Sequence, residues 1–176
     1  PALAVTPVSQ SYLTDKTIPL GSLVALDGDS ADKVIPADPD SVKNLIGVTI
    51  NDSTPLVLTS GNSNSALVAT SGIAPTLVSN LNGEIELGDQ ITASPIAGVG
   101  MKATTNTKVI GVAQSQVSSK KTETVNVNGK DEEIEIGEIR LLVSVGYHYQ
   151  EPEKTLIPLA LQNIANAMAG KKVDPL

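Results

Sequence analysis

Short aliphatic runs separated by turn residues recur along this chain at intervals of about ten residues. Most are rich in Val, Ile, Leu or Thr, and Gly, Pro, Asn or Asp stands nearby. Such spacing favours a β-sandwich or β-barrel-like body, so the chain is predicted to be mainly β. The predicted strands are Leu20–Leu26, Leu45–Ile50, Pro55–Thr59, Ala66–Thr70, Thr76–Ser79, Glu84–Leu87, Gln90–Ala93, Val109–Ala113, Thr122–Val127, Glu133–Ile136 and Ile139–Tyr149.

The side chains available for a core are almost entirely aliphatic. The 176 residues include no Phe, Trp or Cys, and the aromatic residues are Tyr12, Tyr147 and Tyr149. A core of Val, Ile, Leu and Ala suits thin, interdigitated sheets better than a thick globular interior. The lack of cysteine excludes disulfides, thiolate metal sites and cysteine nucleophiles.

Two stretches of the chain resemble one another. The first contains Gly21-Ser-Leu-Val-Ala-Leu, Lys33-Val-Ile-Pro-Ala and Leu45-Ile-Gly-Val-Thr, and the second contains Gly88-Asp-Gln-Ile-Thr-Ala, Met101-Lys-Ala-Thr and Val109-Ile-Gly-Val-Ala. Gly21 then matches Gly88, and Gly47 matches Gly111. The pattern predicts two quasi-repeated β units, related by a pseudo-two-fold axis, within a β domain of residues 15–150.

A β-hairpin is predicted at residues 122–137, inserted in the second unit. Apolar and polar residues alternate on both sides of Asn128-Gly129, a pair that favours a two-residue turn with positive φ. We expect the hairpin to project from the body with one wet face. The charges of Lys130–Glu133 are interpreted as a solvated turn.

The C-terminal residues 151–176 change in character. Glu151–Lys154 is a polar linker, and Thr155–Ala169 has helical spacing, with Pro158 in the first turn and Gly170 as a stop. Apolar side chains cover more than half of this helix, so it must pack on its own domain or on the same helix of other copies. The residues on the apolar stripe are Ile157, Leu161, Ile164, Ala165 and Met168.

Residues 1–14 form a second tail. Leu3 and Val5 are spaced as on one face of a strand, and Val8 follows. The alternatives remain open here. The segment is either a β arm that adds to a neighbour's sheet edge, or a terminus that is disordered or packs on its own domain.

Part of the second unit resembles a pattern found in known β domains. Gly88-Asp-Gln-Ile-Thr-Ala-Ser94, Gly98-Val-Gly-Met-Lys-Ala103 and Val109-Ile-Gly-Val-Ala113 are similar to β domains of phage tail fibres, phage capsid decoration proteins and bacterial surface proteins. Gly21 to Ile50 resembles the same pattern, with Ser22 in place of Asp. The resemblance implies a non-enzymatic module of a repetitive, often oligomeric assembly.

Charge and hydropathy narrow the range of partners. A net charge of −7 without clustered Lys or Arg argues against nucleic acids and anionic membranes. No apolar run reaches the roughly 18 residues that a membrane span needs. Ala2-Leu3-Ala4 has the small-x-small pattern of a signal-peptide cleavage region, which favours an extracellular location.

Candidate catalytic and metal-binding residues are few. His148 is the single histidine, and a lone histidine near a strand end is more often structural than catalytic. Asp27, Asp29 and Asp32 form the one candidate metal site, because calcium prefers clustered oxygens. Ala31 and Asp32 depart from the EF-hand pattern, however, so a plain acidic turn is the alternative. The chain is predicted to be non-catalytic and to need no cofactor.

These observations together predict a structural subunit that assembles with copies of itself in an extracellular filament, a surface assembly or a virion. Two alternatives stay open: a glycan-binding or receptor-binding module with Tyr147 and Tyr149 as its platform, and a self-cleaving peptidase-type fibre domain. The predicted assembly contacts are Leu3, Val5, Val8, Leu156, Ile157, Leu161, Ile164, Ala165 and Met168.

Overall fold

The computed structural model describes residues 7–51, 65–127, 129–151 and 159–171. Within these ranges the chain is mainly β and has one short C-terminal α-helix, as predicted. A 3₁₀ turn, Val42–Asn44, precedes the fourth strand. The elements are β1 Val8–Leu13, β2 Leu23–Leu26, β3 Val34–Pro36, β4 Leu45–Thr49, β5 Ser65–Ser79, β6 Gln90–Ala93, β7 Gly100–Lys102, β8 Thr107–Ala113, β9 Ser118–Val127, β10 Lys130–His148 and α1 Leu159–Met168.

The strands form one large mixed sheet. Its order is β3-β2-β4-β5-β7-β6-β8-β10-β9, with β1 paired to β5 and a further pairing of β5 with β10. Almost all neighbours are antiparallel. Parallel contacts occur where β5 meets β7, at Val78 and Gly100, and where Leu13 meets Lys33.

The prediction of two separate strands at Ala66–Thr70 and Thr76–Ser79 is wrong, because β5 is one strand of 15 residues. Ser71-Gly72, a pair typical of turns, lies inside it. Gly72 has a φ of +93°, and a Cβ there would lie 2.8 Å from the Cα of Pro7. The glycine is therefore required by a close backbone approach, at the point where β5 passes from β1 to β10 as its antiparallel partner.

The predicted strand at Glu84–Leu87 is also wrong, because these residues form the turn that leads into β6. The Glu86 N–H donates to Asp89 Oδ2 at 2.8 Å, and Gly88 has a φ of +90°. Ile85 is buried and anchors the turn in the core. Ile85, which contributed to the predicted strand, is thus a buried residue in a loop.

One continuous strand, β10, replaces the two predicted at Glu133–Ile136 and Ile139–Tyr149. Gly137, which lies between the two predicted strands, is buried against Val117 and Ser118, where a side chain would overlap its neighbours. The predicted strand Pro55–Thr59 lies outside the described residues.

The N-terminal strand β1 belongs to the chain's own sheet. It pairs with β5 from Ser9 opposite Ala69 to Leu13 opposite Ser65. Over this stretch, the structure shows the alternative in which the tail packs on its own domain.

The core is aliphatic, as the composition requires. One cluster of buried residues includes Leu23, Leu45, Ile91, Ile110 and Leu141. A second, smaller cluster consists of Ile18, Val24, Val34 and Val68, with Tyr12 packed against it. Burial of such side chains contributes about 1.5–3 kcal/mol each, which offsets the entropy lost on ordering the strands.

Strands β9 and β10 form the predicted hairpin, which begins at Ser118 rather than at residue 122. The Gly129 N–H donates to Asn126 Oδ1 at 3.0 Å, and Asn128 lies outside the described residues. Most of β9 is exposed to solvent. Lys120 on β9 pairs with Glu135 on β10 at 2.9 Å and with Glu84, outside the hairpin, at 3.0 Å, and these two carboxylates raise the pKa of Lys120.

Candidate assembly surfaces

The predicted contact residues on α1 are exposed to solvent. Leu161 is 55% exposed, Ile164 57% and Met168 86%, and Ala165 is exposed as well. Val8, on β1, is also exposed. Leu3, Val5, Leu156 and Ile157 lie outside the described residues. Every predicted contact residue in the described part of the chain is therefore exposed to solvent.

Helix α1 has no extensive contact with any strand in the described part of the chain. It ends where sequence predicts, since Gly170 has a φ of +66° and the Lys171 N–H donates to Asn166 O at 2.8 Å. Its residues Leu159–Met168 carry no charged side chain. The described part of the chain therefore leaves the apolar side chains of Leu161, Ile164 and Met168 in contact with solvent.

Two turns have the same geometry and each presents an exposed leucine. In the first, Ile18 is buried and Leu20 is exposed; in the second, Ile85 is buried and Leu87 is exposed. A glycine with positive φ follows each leucine, and both glycines were matched in the sequence. Neither leucine was predicted as a contact residue, although each directly precedes its matched glycine.

The backbone hydrogen bonds of the two turns also match. The Gly21 N–H donates to Thr49 O at 2.8 Å, and the Thr49 N–H donates to Ser22 O at 2.9 Å. Gly88 donates to Ala113 O at 2.9 Å, and the Ala113 N–H donates to Asp89 O at 2.8 Å. Each turn is thus fixed to the end of a strand, β4 or β8, by two main-chain bonds.

Tyr147 lies near the end of β10, and Tyr149 follows directly after it. The register between β10 and β8 shifts between Val143 and Gly146, and beyond it both tyrosines are exposed, at 62% and 66%. Both tyrosine side chains are therefore accessible from solvent.

His148 points away from the tyrosines and is partly buried. Its Nδ1 lies 2.6 Å from Oε1 of Gln90 on β6. Because an amide oxygen accepts, Nδ1 carries the proton in this hydrogen bond. The imidazole thus ties the end of β10 to β6, which is a structural contact.

The three aspartates of the candidate metal site do not converge. Asp27 pairs with Lys33 at 3.1 Å, and Lys33 also contacts Asp15 at 2.6 Å. The Lys33 ammonium lowers the pKa of Asp27, with help from the Asp29 N–H. Nowhere in the ranges described do three metal-ligating side chains come together. The arrangement is an acidic turn neutralised in part by one lysine.

Comparison with known proteins leaves the family open, since neither protein-family models nor curated proteins match this chain. The part of the chain that the structure describes contains no helix that is both long enough and apolar enough to cross a bilayer.

Proposed function

We propose that this chain is a non-catalytic structural subunit that assembles with copies of itself. The observation that carries the proposal is α1, whose side chains of Leu161, Ile164 and Met168 are each more than half exposed. Burying such a side chain contributes about 1.5–3 kcal/mol before the costs of association. Packing of α1 against another copy would bury these side chains and so stabilise the assembly.

The proposed body consists of two quasi-repeated units. The first unit is β1–β4 with the first half of β5, and the second is the remaining half of β5 with β6–β8 and β10. Equivalent strands have equivalent registers: Val24 lies opposite Gly47 and Pro36, whereas Ile91 lies opposite Gly111 and Lys102. These matched pairings support the division.

Each proposed unit is a small, barrel-like ring of five strands. In the second, β5 pairs with both β7 and β10, so β5-β7-β6-β8-β10 returns to its start. In the first, β1 pairs with β5 and meets β3 at the Leu13–Lys33 bridge. Tandem copies of one unit are common in proteins that build extended assemblies, because the contact between units can be repeated.

An extracellular or virion location fits this role. It rests on the resemblance of Gly88 to Ala113 to tail-fibre, decoration-protein and surface-protein domains. The hydrogen bond between His148 and Gln90 supports a structural rather than catalytic role for the single histidine.

The test of self-assembly is light scattering from the purified chain over a concentration series. The scattering mass is expected to rise well above the 18.1 kDa of one chain as the concentration increases. A mass that stays at one chain across the series would refute self-assembly.

A second candidate function, binding of a glycan, is favoured by the exposed pair Tyr147 and Tyr149. Aromatic faces offer large, rigid contact area at low entropic cost, which suits the apolar face of a sugar ring. Replacing both tyrosines with alanine is expected to abolish hits on a glycan array. The matched control is Tyr12→Phe, because Tyr12 is partly buried and donates to Gln10. An array without wild-type hits would remove this candidate.

A further inference from the structure

Within one chain, the proposed second unit covers Gly21 in the Leu20-Gly21 turn of the first, and the Leu20 side chain stays 58% exposed. The Leu77 N–H, on β5, donates to Gly21 O at 2.8 Å. The side chain of Leu77 packs against the glycine, since a Cβ at Gly21 would lie 3.3 Å from the Leu77 Cγ. The first strand of one unit therefore closes over the glycine turn of the unit before it.

The second unit has an equivalent turn without an equivalent cover. Leu87-Gly88 corresponds to Leu20-Gly21, and both glycines bond to the last residue of β8 or β4. A Cβ at Gly88 would have no neighbour within 4 Å among the described residues, whereas one at Gly21 would lie 3.3 Å from Leu77. The surface that receives a strand in the first unit is thus open in the second.

The first unit has the equivalent strand, β1, but no glycine turn lies beneath that strand among the described residues. Ala69 and Leu142 are equivalent positions of the two proposed units. Four residues before them, Ser65 lies opposite Leu13 and Glu138 lies opposite Leu77. Leu13 of β1 therefore corresponds to Leu77. Leu77 is half-buried, whereas Leu13 is 51% exposed. One chain therefore carries both halves of an apolar contact, one in each unit.

We propose that the Leu87-Gly88 turn of one copy packs against Leu13 on β1 of the next copy, repeating between chains the contact that joins the two units within a chain. The inference rests on the proposed self-assembly and on the two-unit division. A second copy is the occupant because the chain itself supplies both surfaces and joins the same two surfaces within its own body. The contact joins unlike surfaces, so it generates open filaments or closed rings.

This contact between copies is made mainly by side chains. The Leu13 N–H already donates to Asp32 O at 2.8 Å, so it is not free to bond to Gly88 as Leu77 bonds to Gly21. Packing of the Leu13 side chain on the Leu87-Gly88 turn is then the part of the contact that substitutions can remove. Leu13→Asp and Leu87→Asp are each expected to raise the concentration needed for assembly by about tenfold or more, because a carboxylate is costly to bury.

The decisive experiment is site-directed cross-linking, for which the cysteine-free chain gives no background. Leu13→Cys and Leu87→Cys chains are purified separately, mixed at a concentration where the wild-type chain assembles, and treated with a short bis-maleimide. A covalent dimer of the two chains is expected. The matched control mixes Leu13→Cys with Leu20→Cys, since Leu20 is the equivalent exposed residue of the first unit.

The outcomes separate this inference from the proposed function. Dimer yield about tenfold higher with Leu87→Cys than with Leu20→Cys supports the head-to-tail contact. Equal yields, or no dimer while light scattering shows assembly, overturn the contact and leave self-assembly standing. A wild-type chain that scatters as a monomer throughout overturns both.

Discussion

Replacing Gly111 with alanine is expected to lower the free energy of unfolding by about 3 kcal/mol or more, a large effect for a single methyl group. Gly111 lies on β8 opposite Val143 of β10. A Cβ there would overlap the carbonyl oxygen of Leu142, and backbone cannot move aside as a flexible side chain can. Chemical denaturation followed by circular dichroism measures the loss.

Two further glycines sharpen this experiment. Gly146→Ala, on β10, is the control, because its Cβ would meet no atom closer than 3.8 Å and its φ is ordinary, so stability should change by less than about 1 kcal/mol. Gly47→Ala should be as damaging as Gly111→Ala, since its Cβ would overlap Ala69 O. If Gly111→Ala were no worse than Gly146→Ala, the register of β8 against β10 would be wrong.

Deleting residues 155–176 is expected to abolish assembly while leaving the β body folded. The deletion removes the exposed side chains of Leu161, Ile164 and Met168, and no strand depends on α1 for its packing in the described structure. Loss of this apolar area should raise the concentration needed for assembly by at least about a hundredfold. Light scattering measures assembly, and thermal unfolding of the deleted chain verifies the fold.

A triple substitution controls for the truncation itself. Leu161→Gln, Ile164→Gln and Met168→Gln together keep a good helix former at each position but remove the apolar stripe. This variant should behave like the deletion. Assembly of the truncated chain at the wild-type concentration would exclude α1 from the interface and leave Leu13 and Leu87 as the remaining candidates.

Local sequence patterns predicted the local structure correctly where the backbone requirement of a single residue dominates. Gly21 and Gly88 have positive φ in equivalent turns, and Asn128-Gly129 marked the hairpin between β9 and β10. In contrast, Ser71-Gly72 carries a turn signal but lies inside β5. A glycine is required there because Pro7 approaches its backbone closely. Pro7 is far away in the sequence, so no local pattern encodes this contact.

The candidate contact surfaces were only partly predictable for the same reason. The helical stripe of α1 can be found from the spacing of Leu161, Ile164 and Met168. Leu13, Leu77 and Leu87 all have the same apolar character in the sequence. Whether such a leucine is covered depends on which residues pack against it in space, and local sequence does not encode that packing.

Negative-stain electron microscopy of the purified chain tests self-assembly most directly. At concentrations where light scattering shows a mass above one chain, filaments or closed rings with a repeat of one chain are expected. Uniform single particles of monomer size at the highest concentration would contradict the structural role, and α1 would then have to be covered by its own chain in solution.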